Sequence, residues 1–259
     1  MVHKTQVSMK KTLYPLALLC LFLTLPHFSS AQQWFKDAHL QDAQRLGGTR
    51  QIQPDEARII SVDMEAVISA LSEAPMWHTP DARANAISLE LPLPNGHSRA
   101  FKVVEAPVMA EGLSARYPGM RSFAAYSPED GTAYARFGYT HKGFHAMILS
   151  GLHSTVFIDV FSEGQTRYYQ VYYKSDYNGI PGNEFSCRMD TGAASTAGHS
   201  DTAPAALLGD CSLRNYRLAI ACTGEYAQFH GGTVPDVLAA YNVAMTRVNG
   251  VYERDFTVH

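Results

Sequence analysis

Apolar and polar positions alternate most regularly in the middle of the chain, where aromatic and β-branched residues are dense. Short polar or glycine-containing segments separate the apolar runs, as expected for strands joined by tight turns. Successive strands with short connections favour an antiparallel meander. The four strands that this pattern predicts are Thr132–Tyr139, Phe144–Leu149, Thr155–Phe161 and Arg167–Tyr173.

A β-hairpin is predicted before this meander. Ile87, Leu89 and Leu91 alternate with polar residues, and the apolar character resumes over Phe101–Val104. The intervening Pro94–Asn95–Gly96 is typical of a turn. The hairpin and the meander together indicate a β-rich antiparallel domain.

Short helices are predicted nearer the N-terminus. Asp63–Leu71 carries apolar residues at helical spacing, and Pro75 ends the pattern. A second short helix is predicted around Asp37–Gln44, with a turn at Gly47–Gly48 after it.

The end of the chain shows a different pattern, a buried strand followed by a long amphipathic helix. Tyr216–Cys222 is predicted to form the strand and Gly224–Gly232 a loop. Thr233 is a typical N-cap, and Phe256–His259 is expected to begin another strand. This would be the first strand–helix–strand of an α/β domain, cut short before it can close a core. The apolar face predicted for the helix comprises Val237, Leu238, Tyr241, Ala244, Met245, Val248 and Tyr252.

A segment of small and polar residues separates the two patterns. Residues 190–206 contain almost nothing that a core could bury, which is typical of an exposed linker and of a site that proteases reach. We therefore expect a β-rich domain over residues 32–189, a linker with a cleavage point over 190–210 and a second domain beginning at 211–259. The fold class predicted for the whole is α+β.

Residues 1–31 have the composition of a secretory signal peptide. Three lysines precede the apolar run Leu13–Leu25, and the small residues Ser29–Ala31 suit a cleavage site. A secreted or extracellular protein is expected, with the periplasm or the outer cell surface as variants. Without this segment 18 basic residues face 24 acidic ones, so the net charge changes from −3 to −6. Neither a nucleic-acid partner nor a membrane span is expected after its removal.

Motifs that carry chemistry are scarce in this sequence. It contains no HExxH, GxSxG or P-loop motif. His141 and His145 have the spacing of two metal ligands on a helix, and His153 follows them, but Gly143 and the strand pattern favour ordinary histidines of a sheet. No catalytic residue and no metal ligand is assigned from the motifs.

Three cysteines remain after the leader, which is an odd number for a secreted protein. Cys211 and Cys222 could form a disulfide and leave Cys187 unpaired, or each could pair elsewhere. The sequence leaves these alternatives open.

The segment Tyr216–His259 resembles the opening of the catalytic domain of reprolysin-like, adamalysin-type metzincin zinc metallopeptidases, in particular the bacterial secreted members. The matching residues on the long helix are Asn242–Val243, Thr246–Asn249 and Val251–Tyr252. Upstream segments are similar to the propeptide of the same enzymes, and these are Leu91–Gly96, Ala106–Met109, Arg116–Pro118 and Gly143–Ile148.

The resemblance implies a secreted precursor of a zinc metalloendopeptidase that acts on proteins or peptides. Its propeptide would pack on its own catalytic domain as folding aid and inhibitor until an activating protease removes it. The family binds Zn²⁺ through the three histidines of HExxHxxGxxH and uses the glutamate as general base. That motif is missing here, so this part of the enzyme is expected to be inactive, with the zinc ligands beyond the end of the chain.

Latency of related metzincins can come from a prodomain thiolate on the zinc, since cysteine is a good zinc ligand. Cys187, just before the linker, is a candidate for that role, and a structural cysteine is the alternative. Two other functions compete with the peptidase precursor. They are a secreted β-rich binding or adhesion module and a stand-alone inhibitor that resembles a prodomain.

Overall fold

The computed structural model describes residues 34–179 and 213–259, which contain one nine-stranded sheet and five α-helices. The order of strands in the sheet is β1-β2-β9-β8-β7-β6-β5-β4-β3, and all neighbours are antiparallel. The strands are β1 (Phe35–Asp37), β2 (Arg58–Val62), β3 (Ile87–Pro92), β4 (Ser98–Glu105), β5 (Arg121–Tyr126), β6 (Tyr134–Thr140), β7 (Gly143–Leu149), β8 (Val156–Val160) and β9 (Tyr168–Tyr173).

The sheet encloses one hydrophobic core on its inner face. Alternate residues point inward, so that Phe123, Phe137, Phe144 and Ile158 from four successive strands are completely or almost completely buried together. Residues from strands near opposite ends of the sheet join the same cluster, and Arg58 of β2 donates hydrogen bonds to the carbonyls of Leu93 and His97 in the β3–β4 turn. The sheet is therefore strongly curved around this core.

Three short helices connect successive strands of the sheet. They are α1 (Leu40–Arg45), α2 (Met64–Leu71) and α3 (Glu111–Arg116). The N-cap of α2 is Asp63, whose carboxylate accepts a hydrogen bond from the amide of Ala66 at 3.1 Å. Val67 and Leu71 of α2 are fully buried in the core.

The C-terminal segment folds as helix α4 (Gly224–Phe229) and the 23-residue helix α5 (Val234–Phe256). Thr233 caps α5 as predicted, and its hydroxyl accepts from the amide of Asp236. Arg214 and Val258 form a parallel bridge on either side of the two helices, with the amide of Tyr216 bonded to the carbonyl of His259. Beyond this isolated bridge, neither strand of the predicted strand–helix–strand is formed among the described residues.

Several boundaries differ from the sequence prediction. Tyr216–Cys222 is exposed and forms no strand, which corrects the prediction of a buried strand there, because nothing among the described residues covers its apolar side chains. Residues 224–229 are helical rather than a loop, and Phe256 ends α5 rather than opening a strand. The helix predicted around Asp37–Gln44 is present as α1, Leu40–Arg45, and only Asp37 of the predicted range belongs to strand β1.

The hairpin, the four strands of the meander and helix α2 lie where they were predicted. The sequence pattern predicted none of β1, β2, β5 and α3. Within the described ranges, no helix is both long enough and apolar enough to cross a membrane.

Candidate functional site

Helix α5 lies on the outer face of the sheet, across β5, β6 and β7. The residues that it buries on the sheet side are small or polar, namely Ala239, Asn242, Thr246 and Gly250, whereas Val237 is buried on the predicted apolar face. The predicted apolar face is largely not the packed face, since Val248 and Tyr252 are 41% and 49% exposed. This corrects the prediction that the apolar face is the packed one, because the contact with the sheet uses the side of the helix away from most of the predicted apolar residues.

Close packing at the centre of this contact depends on Gly250. A β-carbon there would lie 2.7 Å from Cε of Met147 and 3.0 Å from Cγ of Arg136. Arg136 and Met147 are direct cross-strand partners on β6 and β7, so they present one surface to the helix. The absence of a side chain at position 250 therefore lets α5 approach the sheet.

Charged pairs link the helix to the sheet along its length. Near the N-terminus of α5, Asp236 accepts from Nε2 of His141 at 3.0 Å and lies 3.3 Å from Nζ of Lys142. Hydrogen bonds from Thr233 and His141 hold the pKa of Asp236 well below its usual range. Further along, Nη2 of Arg247 donates to Oδ1 of Asp159 at 2.5 Å.

Glu253 forms the third link, towards the C-terminal end of α5. Its carboxylate accepts from the hydroxyl of Tyr134 at 2.5 Å and lies 3.5 Å from Nη2 of Arg136. Burial raises the pKa of Tyr134, so the phenol keeps its proton as the donor. Three pairs at separate points of the helix fix its register on the sheet.

The contact leaves several buried polar atoms without hydrogen bonds. Arg136 is completely buried and donates one bond to the carbonyl of Ala106 at 3.4 Å; its Nε has no hydrogen-bond partner, and its Nη2 has only the ion pair with Glu253 at 3.5 Å. Oδ1 of Asn242 and Oγ1 of Thr246 are also unpaired. Because each such atom costs free energy on burial, the contact is weaker than its area suggests.

His145 is the most unusual residue of this surface. It lies on β7, opposite Gly138 of β6, and both of its ring nitrogens are buried without a partner. Burial, and secondly the charge of Arg247, lowers the pKa of His145 to about 3. A cavity of about 630 Å³ beside it separates the end of the sheet from α4 and α5, and its lining includes His141, Asp159 and Arg247.

The site residues named from the sequence are only partly described. Cys187 and Cys211 lie outside the described residues, so the zinc-ligand role and the disulfide stay predictions. Cys222 is exposed and makes no disulfide with another residue of the described part of the chain. His141, His145 and His153 do not converge, since His141 pairs with Asp236 while His153 approaches Arg99.

The described residues do not fit a zinc site. Within residues 34–179 and 213–259, no three histidine, cysteine, aspartate or glutamate side chains come together as metal ligands. We therefore assign no catalytic step to these residues.

Sequence reasoning missed the contact surface of α5. The signal that could have revealed it is the recurrence of Asn242, Thr246 and Gly250 every four residues, with Ala239 and Glu253 three residues beyond either end. Small and polar residues at helical spacing mark a face that packs closely without strong apolarity.

Comparison with known proteins gives one match. No curated protein and no solved structure matches the chain significantly. A family model does match, over residues 212–259, which include α4 and α5. The resemblance predicted for this segment is thereby confirmed: residues 212–259 are similar to metallo-peptidase family M12B, reprolysin-like.

Proposed function

We propose that this chain is part of the precursor of a secreted zinc metalloendopeptidase. Residues 212–259 would open its catalytic domain, and the curved sheet of residues 34–179 would be the propeptide that packs on it. The chemistry would belong to zinc ligands beyond residue 259 and to an HExxHxxGxxH motif there. These described residues would be inactive by themselves.

One observation carries this proposal, namely the way in which α5 uses its two faces. The small and polar face contacts the sheet, while Val248, Tyr252 and Phe256 remain exposed on the other side. Tyr216 and Leu218, which flank the parallel bridge, are also exposed. Large exposed apolar surfaces usually mark an interface, so this side suits the core of a larger domain.

The polar character of the contact between α5 and the sheet also supports the proposal. It combines three charged pairs with buried polar atoms that lack partners. A permanent core would be apolar, with its buried polar atoms hydrogen-bonded. A contact of this kind instead fixes the register of the helix and needs little free energy to separate. Those are the properties that a removable propeptide needs.

Removal would follow cleavage in the linker at residues 190–210, by a protease that the sequence does not identify. The signal peptide at 1–31 would direct the precursor out of the cytoplasm, and its substrates would be proteins or peptides. Cys187 precedes the linker and would occupy the zinc before activation. Replacing Cys187 by serine in the full precursor should raise its activity before cleavage, and unchanged latency would reject that role.

The decisive experiment is to read the coding sequence after the codon of His259. An HExxHxxGxxH motif within about 100–200 residues would support the peptidase. The encoded precursor should then cleave casein after activation, lose activity with a chelator, and lose it when the glutamate of the motif becomes glutamine. A stop codon directly after His259, with no such motif in any frame, would overturn the proposal in favour of an inhibitor or binding module.

A further inference from the structure

The outer face of the sheet carries a histidine that α5 helps to shut away from water. His145 and Met147 alternate with the inward-facing Phe144, Ala146 and Ile148, so both point towards the helix side of β7. His145 is only 3% exposed, and neither ring nitrogen has a hydrogen-bond partner. A neutral imidazole can be buried in this way at moderate cost, but an imidazolium cannot.

The groups around His145 come from every neighbouring element. Gly138 faces it from β6, and the register of β7 with β8 places Asp159 beside it. Asp159 is already engaged, since it accepts from Arg247 of α5 and from the hydroxyl of Tyr172 of β9. The positive guanidinium of Arg247 therefore faces His145 across the contact, with the partnered carboxylate between the strands.

Other titratable groups line the cavity next to His145. They are His141, Lys142, Glu163, Tyr226 and His230, in addition to Asp159 and Arg247. Lys142 approaches the carbonyl of His230 and the carboxylate of Asp236, so these groups are held by α5 and the segment before it. None of them donates or accepts a hydrogen bond with His145.

We propose that His145 makes the docking of residues 213–259 on the sheet acid-labile, so that proton uptake by its imidazole releases α5. That this release of α5 is a step in propeptide removal rests on the proposed function, but the pH dependence of docking can be tested independently. Proton uptake requires that water reaches the ring of His145. Water reaches it when α5 leaves the outer face, so protonation and release are coupled.

The direction of the pH dependence follows from linkage between proton binding and docking. When docked, His145 has a pKa of about 3. When released, its ring would return to the ordinary value, about 6.5. The released state then binds the proton more readily, so docking is fully favoured above about pH 6.5 and weakens as the pH falls towards 3. The ratio of released to docked molecules should rise roughly a hundredfold from pH 7.5 to 4.5.

Other groups at the contact differ in their pH dependence. Burial, and secondly the charge of Lys142, lowers the pKa of His230, so proton uptake by His230 would favour release in the same direction as that by His145. The lowered pKa of Asp236 makes its contribution to docking decline only below about pH 4, where free aspartates begin to protonate. A loss of docking between pH 6.5 and 4.5 is therefore assigned by comparing two variants: His145→Gln should abolish most of the loss, whereas His230→Gln should leave most of it.

Hydrogen–deuterium exchange of the full chain measures this directly. An isolated helix of this length is marginal in water, so the amides of α5 should exchange faster once it is released. After correction for the intrinsic pH dependence of exchange, protection of residues 234–256 should fall roughly a hundredfold from pH 7.5 to 4.5. In His145→Gln, which cannot titrate, the fall should stay within about threefold.

Two controls carry the same substitution elsewhere. His153→Gln lies on the β7–β8 loop and should behave as the unmodified chain. His141→Gln removes a partner of Asp236, so it should lower protection at every pH and keep the same slope. A chain whose α5 protection does not change with pH, or a His145→Gln variant with the same loss, would overturn the inference.

A second measurement does not depend on any variant folding. In chain labelled with ¹³C-histidine, the ring of His145 should remain neutral while α5 is protected and should become protonated together with the loss of protection. Titration of His145 near pH 6.5 with α5 still protected would overturn this inference but leave the proposed function unaffected. An α5 that is already unprotected at pH 7.5 would contradict the docking and, with it, the proposed propeptide role.

Discussion

Single residues of α5 decide how closely it approaches the sheet. Gly250 has no side chain where a β-carbon would touch Arg136 and Met147, and Thr246 is completely buried four residues before it. A glycine in the interior of a helix costs about 0.5–1 kcal/mol relative to alanine. Here the close contact between α5 and the sheet, which only glycine permits, offsets that cost.

Replacing Gly250 by valine is therefore expected to weaken docking, although the change raises helix propensity. Overpacking costs about 1–3 kcal/mol, which exceeds the few tenths gained in propensity. Exchange of the α5 amides should be faster in this variant. Ala244→Val, on an exposed position of the same helix, is the matched control and should leave protection unchanged. Equal or slower exchange in Gly250→Val would contradict the close contact.

Asp130 organises the turn between β5 and β6. Its carboxylate accepts from the amide and hydroxyl of Thr132, from Ser150 and from Arg99. These hydrogen bonds, that of the Thr132 hydroxyl first, lower the pKa of Asp130 to about 2. The stability that this depressed pKa provides is present above about pH 4 and is lost as the pH falls towards 2.

Asp130→Asn should accordingly lower the melting temperature at pH 7 and have a smaller effect at pH 2, where about half of the native carboxyl groups are protonated. Scanning calorimetry at both pH values measures the difference. Glu129→Gln, an exposed neighbour on the same turn, provides the control and should shift the melting temperature little at either pH. An equal effect of Asp130→Asn at both pH values would mean that the ionised form is not what stabilises the turn.

Elements of this chain are specified by local signals that agree with their tertiary use. The caps of α2 and α5 are Asp63 and Thr233, and both accept hydrogen bonds from amides of the first turn. In the sheet, alternation separates the inner apolar core from an outer face that carries Arg136, His145 and Asp159. Because α5 covers that outer face, both sides of β6 and β7 are buried.

The N-cap of α5 provides a prediction for this element. Thr233→Ala removes the hydroxyl that accepts from the amide of Asp236, and it should destabilise the first turn by about 1 kcal/mol. It should also weaken the hold of Asp236 on His141, because the same hydroxyl donates to the Asp236 carboxylate. Amides at the start of α5 should exchange faster, whereas Thr233→Ser should leave them as they are. Similar exchange in both variants would contradict a capping role.

The described chain combines an antiparallel sheet with a C-terminal segment in which Arg214 and Val258 form a parallel bridge. Residues 180–212 connect the two parts in the chain and are not described. The contact between them depends on matched charges, among which Arg247 and Asp159 are the most enclosed pair outside Arg136 and Glu253. Removal of one partner leaves the other buried with its desolvation uncompensated.

Cleavage in residues 190–210 by a protease that cuts after small residues should leave the two parts associated at pH 7.5. In the cleaved chain, Arg247→Gln should weaken that association tenfold or more, which corresponds to about 1.5–3 kcal/mol for a hydrogen bond to a charged group. Gel filtration of a dilution series measures the effect. Arg254→Gln, whose partner Asp255 is its neighbour on the exposed side, should co-elute as before. Separation of the unmodified parts at micromolar concentration would refute a specific contact.

The local pattern of apolar and polar residues was sufficient to predict an element where one of its faces meets a core and the other meets water. The hairpin, the meander and α2 follow directly from such alternation, and Thr233 marks the start of α5. Pattern failed at β5, because its outer face is also buried under α5 and Ala124–Ala125 give no contrast between the two faces. It also misplaced the strand at Tyr216–Cys222, whose apolar residues are exposed.

By itself, the sequence determined the antiparallel β-rich character of the first part, the long capped helix of the second and the similarity of residues 212–259 to reprolysin-like metallopeptidases. Only the tertiary structure decided which face of α5 contacts the sheet and that His145 and Arg136 are buried beneath it. The physical reason is that hydropathy reports how strongly a face avoids water. Close approach at Gly250 and pairing of distant charges depend on partners far apart in the chain, which no local pattern records.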